Sequence, residues 1–347
     1  MLIGTAKESY RADEALFTTR PHRLWVIAFL AALALAPFGL DDYWLYLACL
    51  AAINVASATG LNILTGYTGL VSLGQAAFMA VGAYTVAWLE QETAVPSLLA
   101  LVAGGLVAAA VGVVFGIPSL RVKGLYLAIA TIAASFILHF VFVHWESVTN
   151  GNTGLSVAPA SVLGVELTTY FALYYLIVPV TVLLVLGAAN LFRTRIGRAF
   201  IAIRDRDISA EVLGIPLMRY KLMSFAIASF YAGVAGGLWA YVFRVVTPDT
   251  FPFLMSVFLL AAIIVGGIGT ILGGILGAIF MTLTPELLRF VFDALSPIWP
   301  NAASALSPVR TIVFGALIVL FLVFEPRGLA EIIHRVRRSW QLWPFKT

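Results

Sequence analysis

The residues of this chain that could do chemistry fall into three groups, and none has the make-up of a catalytic centre. Between Arg193 and Lys221 stand seven Lys or Arg and three acids, with Gly197, Arg198, Ala202, Arg204, Asp205, Asp207, Ala210, Glu211 and Gly214 at the centre of the run. Charged side chains at this density suit ion pairs and charge-assisted hydrogen bonds with another protein. Asn62, Gly66, Tyr67, Gly69, Ser72 and Gln75 form a second group, set among apolar neighbours, where amides and hydroxyls bond to an adjoining helix or to a passing solute. The third is Gly266, Gly267, Gly269 and Gly273, whose bare backbone permits either close helix contact or a break in a helix.

What is missing narrows the chemistry further. None of the four lysines follows a glycine, so the chain has no phosphate-cradling P-loop. It has neither H-E-x-x-H nor G-x-S-x-G, the spacings that mark a zinc protease or a serine hydrolase. The single Cys49 excludes an intramolecular disulfide and reads as a small buried hydrophobe.

These groups must be positioned by membrane helices. With 61% hydrophobic and 11% charged residues and a mean hydropathy of +1.00, the chain lies far from soluble proteins, where charged residues make up about 25%. It reads as an all-α polytopic membrane protein, a helical bundle of about 8–10 spans with a discontinuous or re-entrant segment. Apolar stretches run at 24–40, 43–64, 71–89, 96–117, 124–144, 170–192, 222–243, 253–283 and 309–324. Ala34-Leu35-Ala36 resembles a signal-peptidase site, but the long charged segment before the first stretch and Pro37 behind it indicate an uncleaved first span. No acid falls at the middle of a span, and His139 and His144 lie at the outer end of theirs. An ion-coupled carrier needs such a group, or a carbonyl-lined site, at depth.

Charge orients the spans. Placing the N-terminal tail, the Arg121/Lys123 turn, the 193–221 run and the C-terminal tail on one side collects 18 of the 21 basic residues there. The loops that hold Asp41, Asp42, Glu90, Glu92, Glu146 and Glu166 carry no Lys or Arg. This is the positive-inside bias, and it needs no nucleic acid to explain the net charge of +4. On this count the segment 253–283 starts and finishes on the same side. As one helix it would be roughly 46 Å long against a hydrocarbon core of about 30 Å, so a break is expected near Gly266–Gly274, at membrane depth. The same glycines suit packing of the GxxxG kind at Gly269, Gly273 and Gly277.

The 193–221 run reads as two short helices with a kink. Ile196, Ala199, Ile203, Ala210 and Leu213 recur at helical spacing, and Arg206 and Asp207 interrupt them. The stripe has no membrane to bury it and the charges have no partner evident nearby in the chain, so both are expected to face another protein.

Five blocks carry a family resemblance: Gly60 to Tyr84 (GLNILTGYTGLVSLGQAAFMAVGAY), Gly124 to Ala133 (GLYLAIATIA), Thr149 to Leu155 (TNGNTGL), Ile196 to Gly237, and Ile263 to Ala278 (IIVGGIGTILGGILGA), followed by Glu325-Pro326-Arg327-Gly328-Leu329. In these the chain resembles the permease subunits of bacterial branched-chain amino acid ABC importers, in particular the longer, LivM-type of the two homologous permeases. The resemblance implies that Ile196 to Gly214 is a cytoplasmic coupling helix inserted into a cleft of an ATPase subunit. The wider family carries an E-A-A-x-x-x-G pattern there. Here Ile208-Ser209-Ala210 precede Gly214 and the acid is displaced to Asp207, while Gln75 stands where His is frequent and Gly274 where Pro is.

The implied function is alternating access in a heteromeric importer for branched-chain or related amino acids. Its implied partners are a homologous second permease, two cytoplasmic ATPases, a periplasmic solute-binding protein and membrane lipid. No cofactor is expected on this chain, ATP and Mg being bound in the partner subunits. Urea, short amides or aromatic acids are the alternative substrates within the family; a stand-alone carrier or channel is a rival reading. The implied layout is a cytoplasmic N-terminal tail at 1–23, a permease domain at 24–326 and a basic cytoplasmic tail at 327–347, in a bacterial inner membrane. Gly197, Arg198, Ala202, Arg204, Asp205, Asp207, Ala210, Glu211 and Gly214 would couple to the ATPase; Asn62, Gly66, Tyr67, Gly69, Ser72, Gln75, Gly266, Gly267, Gly269 and Gly273 would line the pathway.

The charge bias yields a direct test. With Cys49 replaced by Ser, a Ser209→Cys variant is expected to resist an impermeant thiol reagent in intact cells; labelling from outside would reverse the topology.

Overall fold

The apolar runs are helices in the computed structural model, which describes residues 20–93, 95–119, 124–162, 164–295, 309, 312, 313, 315–317, 319–321, 323–325 and 327–342. In chain order they are α1 (Arg20–Leu35), α2 (Asp42–Asn62), α3 (Gln75–Glu92), α4 (Ser97–Ser119), α5 (Leu125–His144) and α6 (Tyr170–Leu191), then the short α7 (Arg195–Asp205) and α8 (Asp207–Val212). They are followed by α9 (Leu217–Phe243), α10 (Phe253–Gly266), α11 (Ile271–Leu295) and α12 (Gly328–Leu342). Among the described residues seven helices are long and apolar enough to cross a membrane, so the chain is a multi-pass membrane protein. The Arg121/Lys123 turn, the tail before Arg20 and much of the expected span at 309–324 lie outside the described residues.

Burial sorts the helices into an inner and an outer set. In α2 with its terminal turn, 83% of the most apolar stretch is buried inside protein, against 33% in α4. The outer helices turn Leu99, Leu106, Phe136, Phe140 and Leu183 outward, the arrangement lipid requires. Helix α3, also largely buried, is not among the seven apolar ones. It is rich in small residues and buried from Gln75 through Tyr84, because its solvent is protein rather than lipid. A Cβ on Gly236 of α9 would lie 1.9 Å from the Met79 carbonyl oxygen, and one on Gly82 would lie 2.1 Å from that of Gly233. At these two crossings α3 and α9 meet backbone to backbone, as membrane helices do through small residues.

Polar bonds pin the remaining helices to this core. The Asn54 amide donates to Thr282 Oγ1 at 2.9 Å, joining α2 to α11, and Thr181 Oγ1 donates to the Ala52 carbonyl at 3.1 Å, joining α6 to α2. The strands form two small antiparallel pairs at one end: β1 (Leu155–Ser156) with β4 (Val245–Val246), and β2 (Ala160–Val162) with β3 (Val165–Leu167). Gln91 Nε2 donates to the Ser156 carbonyl there, at 2.6 Å. Of the basic residues off the charged run, Arg244 donates to the Leu167 and Thr168 carbonyls and Arg289 pairs with Glu286 at 3.9 Å.

The segment around residues 253–283 turns back on itself. Gly269, between α10 and α11, meets the end of α2 at Asn62, while Trp44 at the start of α2 stacks on Phe290 of α11. The turn therefore lies at the end of the bundle that carries α7 and α8, here termed the platform end, and not midway between the two ends. The regular part of α10, 14 residues, is about 21 Å long, and only with the turn that leads into it, as Pro248–Gly266, does it reach the 19 residues that place it among the seven spans. Its partner α11 continues to Leu295, past the expected boundary at 283, because Glu286 and Arg289 stay helical as an i,i+3 pair. The third span also starts later than expected, at Gln75. Gly69, at φ +75°, turns the chain away from the helical path beforehand.

These crossings predict a contrast. Gly236→Ala is expected to cost roughly 1–3 kcal/mol by overpacking and to lower the melting temperature in detergent, whereas Leu183→Ala on the lipid face should leave it nearly unchanged. Equal melting of the two variants would refute the close contact.

Candidate functional site

The platform begins where α6 ends. Thr194 caps α7, its hydroxyl accepting from the Gly197 amide at 3.5 Å. Gly197 itself packs on the α6 terminus, since a Cβ there would lie 2.4 Å from Phe192 Cα. Arg206, with extended backbone, separates α7 from α8, giving the expected kink. After α8 the chain closes in a Schellman motif: the Gly214 amide donates to the Glu211 carbonyl at 2.9 Å and the Ile215 amide to that of Ala210 at 3.0 Å, with Gly214 at φ +83°.

The apolar stripe is not left for another protein, as the sequence suggested. Ala199, Phe200, Ile203 and Ala210 are buried, and Phe200 joins Ile63, Ala188 and Tyr231 in a cluster packed beneath the platform. What faces outward is a different set, all on or next to α8: Ile208, Val212 and Leu213 are 70%, 83% and 80% exposed. Leu213 thus leaves the stripe. Several of the charges have partners within the chain, Arg198 among them, which donates to the Arg193 carbonyl at 3.0 Å. Asp207 Oδ2 lies 3.7 Å from Lys221 Nζ, a lysine that is itself buried, tying α8 to α9. Arg204 Nε donates to Asp205 at 3.2 Å, and its Nη1 donates to the Gly66 carbonyl at 3.0 Å. Arg198, Asp205 and Glu211 are on the exposed side, and Ala202 is half-buried.

Arg204 leads directly to the two helix breaks. After Asn62 the chain makes a π-helical turn, Ile63–Tyr67, at the end of α2. A Cβ on Gly66 would lie 2.5 Å from the Gly269 nitrogen, so this turn abuts the one between α10 and α11. Asn62 clamps the two together: its Nδ2 donates to the Thr270 carbonyl at 2.7 Å, and its Oδ1 accepts from the Gly269 amide at 2.9 Å. Thr270 caps α11, accepting from the Gly273 amide at 3.1 Å. Gly267, at φ +121°, lies against the C-terminal turn, where a Cβ on Gly328 would come within 2.4 Å of its nitrogen. Gly266 packs on the Gly273 carbonyl. The structure thus gathers Asn62, Gly66, Gly69, Gly266, Gly267, Gly269, Gly273 and Arg204 at one junction. Tyr67 stands beside it, stacked on Phe192.

Ser72 and Gln75 belong elsewhere, to a buried polar group further into the bundle. Gln75 Nε2 donates to the Ser57 carbonyl at 3.0 Å, Ser72 Oγ accepts from the Gly74 amide at 3.3 Å, and Ser256 Oγ accepts from the Ala76 amide at 2.9 Å. This group joins α2, α3 and α10. The sequence reading missed Lys221, Thr270, Ser57 and Ser256. Thr270 had a signal, a cap residue directly before an apolar run; lone serines in apolar runs have none. An exposed apolar knob on α8 thus adjoins α7, whose Arg204 bonds to Gly66 at the junction of the two helix breaks that Asn62 clamps.

Residues 43–322 match the family described as branched-chain amino acid transport system / permease component. The chain is 31% identical to the high-affinity branched-chain amino acid transport system permease protein LivM of Escherichia coli K12, over 90% of this chain and 76% of that protein. It is 30% identical, with the same coverage, to the protein of that name in Salmonella typhimurium. It is also 27% identical to a protein of Methanocaldococcus jannaschii named as a probable branched-chain amino acid transport permease, LivH, over 68% of this chain and 77% of that one. No solved structure matches the chain.

The junction predicts an order of losses. Asn62→Ala strands a buried amide and a buried carbonyl, at roughly 1–3 kcal/mol for each unsatisfied group. Arg204→Ala removes the bonds to Asp205 and Gly66 from a side chain that is 38% exposed, so about 1 kcal/mol or less is expected after solvent screening. Thermal melting in detergent checks this, and a larger loss for Arg204→Ala would contradict the clamp.

Proposed function

The chain belongs to the family of branched-chain amino acid transport system permease components, and from that membership we propose that it is the transmembrane permease subunit of an ATP-binding-cassette importer for branched-chain amino acids. A second homologous permease completes the pore, two ATPase subunits bind ATP and magnesium and supply the motion, and a solute-binding protein delivers the substrate at the opposite face. The charge bias supports a bacterial inner-membrane setting with the platform and both termini cytoplasmic.

The observation that carries this reading is the exposed apolar face of α8. Ile208, Val212 and Leu213 stand outward on a short helix, flanked by Arg206 and Glu211, where no lipid would cover them. A patch of this kind rimmed by charge marks a protein contact. Closure of the ATPases on ATP would displace α8. The Asp207–Lys221 pair carries that displacement to α9, and the Arg204 hydrogen bond carries it to the helix breaks. Work is thereby delivered to two places where the helices are already interrupted.

The test is co-purification of the four-part membrane complex. Val212→Asp combined with Leu213→Asp is expected to reduce ATPase recovery at least tenfold, leaving the chain in the membrane with its fellow permease. Wild-type ATPase stoichiometry and uptake in that variant would sink the docking assignment.

A further inference from the structure

A cavity of about 210 Å³ lies between α3, α5 and the turn that leads into α10, and nothing in the transport reading has yet used it. We propose that it is a binding site for an α-amino acid with a small apolar side chain, taken up as the zwitterion during passage through the bundle; this rests on the permease reading above. Its size is below the roughly 300–1,000 Å³ of sites for drug-sized ligands, which suits a single amino acid and not a peptide or nucleotide.

The walls divide by chemistry. Ala76, Ala77 and Ala80 of α3 form a small-residue floor, and Phe136, Phe142 and Phe251 are among the aromatic walls, the surface an aliphatic side chain seeks. Polar groups are few: Ser135, His139 and Asp249. Asp249 supplies a carboxylate for an ammonium group, and His139 a ring N–H for a carboxylate. Among the described residues neither is engaged in an ion pair or a side-chain hydrogen bond. Ser135 already donates to the Ile132 carbonyl at 2.7 Å, so it has only acceptor capacity to offer. Behind the wall, the Tyr84 hydroxyl is buried without a hydrogen-bond partner. Its ring stacks on Phe142 with centroids 4.8 Å apart, and Asp249 acts on it electrostatically.

Other small solutes fit less well. A metal cation is held by several oxygens, and the lining offers one carboxylate. A sugar needs a ring of hydrogen-bonding groups, and here most of the surface is alanine, proline and phenylalanine. The site also adjoins the buried polar group through Ala76, whose amide is held by Ser256 at the first turn of α10. Movement of the α10–α11 turn at the platform would therefore reach the cavity along α10.

The experiment uses the assembled transporter in nanodiscs, without the binding protein, carrying Ala80→Cys in a Cys49→Ser background. A small neutral methanethiosulfonate is expected to modify the new thiol, and L-leucine at saturating concentration should slow that modification at least tenfold, while L-glutamate should not. Modification that leucine leaves unchanged, or no modification at all, would overturn the site. In proteoliposomes with the binding protein, Asp249→Asn is expected to raise the KM for leucine uptake at least tenfold and leave binding-protein-stimulated ATP hydrolysis intact; an unchanged KM in an assembled variant also overturns it. Failure of the permease reading looks different, because the wild-type complex would then take up no leucine.

Discussion

A backbone that leaves the helix inside a bilayer must find its hydrogen bonds within the protein, and the platform end of this molecule is organised around that requirement. Two interruptions, the π turn after Asn62 and the turn between α10 and α11, lie against each other, so each covers the other. One amide side chain, that of Asn62, serves both a donor and an acceptor of the second turn. Among the last carbonyls of the first, which have no helical donor of their own, that of Gly66 is served by Arg204 from outside the membrane helices. Glycine is needed at Gly66 for approach and at Gly269 for both approach and a left-handed backbone.

Because the breaks are satisfied by the platform, platform and bundle are not independent. The buried face of α7 shares a cluster with the π turn, α6 and α9, and Lys221 at the start of α9 holds Asp207 of α8. Of the charges that read as docking residues, Arg204 and Asp207 bond within the chain. In the proposed importer the apolar Ile208, Val212 and Leu213 on or next to α8 offer the contact.

The class of fold and the placing of most helices were legible in the sequence, because hydropathy and basic residues report directly on lipid and on sidedness. So was the kink at Arg206 and Asp207, where charge cut an apolar stripe. The end of α11 was not, since Glu286 and Arg289 look like a loop until their pairing within the helix is seen. The α7 stripe was readable as a periodicity but not as to what covers it: period identifies a buried face and leaves the burier unnamed. Residues of the candidate site could be picked out by type, yet Asn62 and Gln75, similar amides 13 positions apart, serve different helix junctions. That division depends on which helix each one meets, and only tertiary structure decides it.

The composition of α3 bears on how the protein is made. This helix is largely enclosed by protein, yet it is not apolar enough to be counted among those that would cross lipid alone, and it ends in Glu90 and Glu92. Insertion by the translocon follows the summed transfer free energy of a segment's residues, so α3 is a poor independent client. It enters the membrane in company with α2 before it and α4 behind it, and it is secured when α9, more than a hundred residues later in synthesis, closes over its glycines. Until then the nascent chain holds a half-polar helix without its cover.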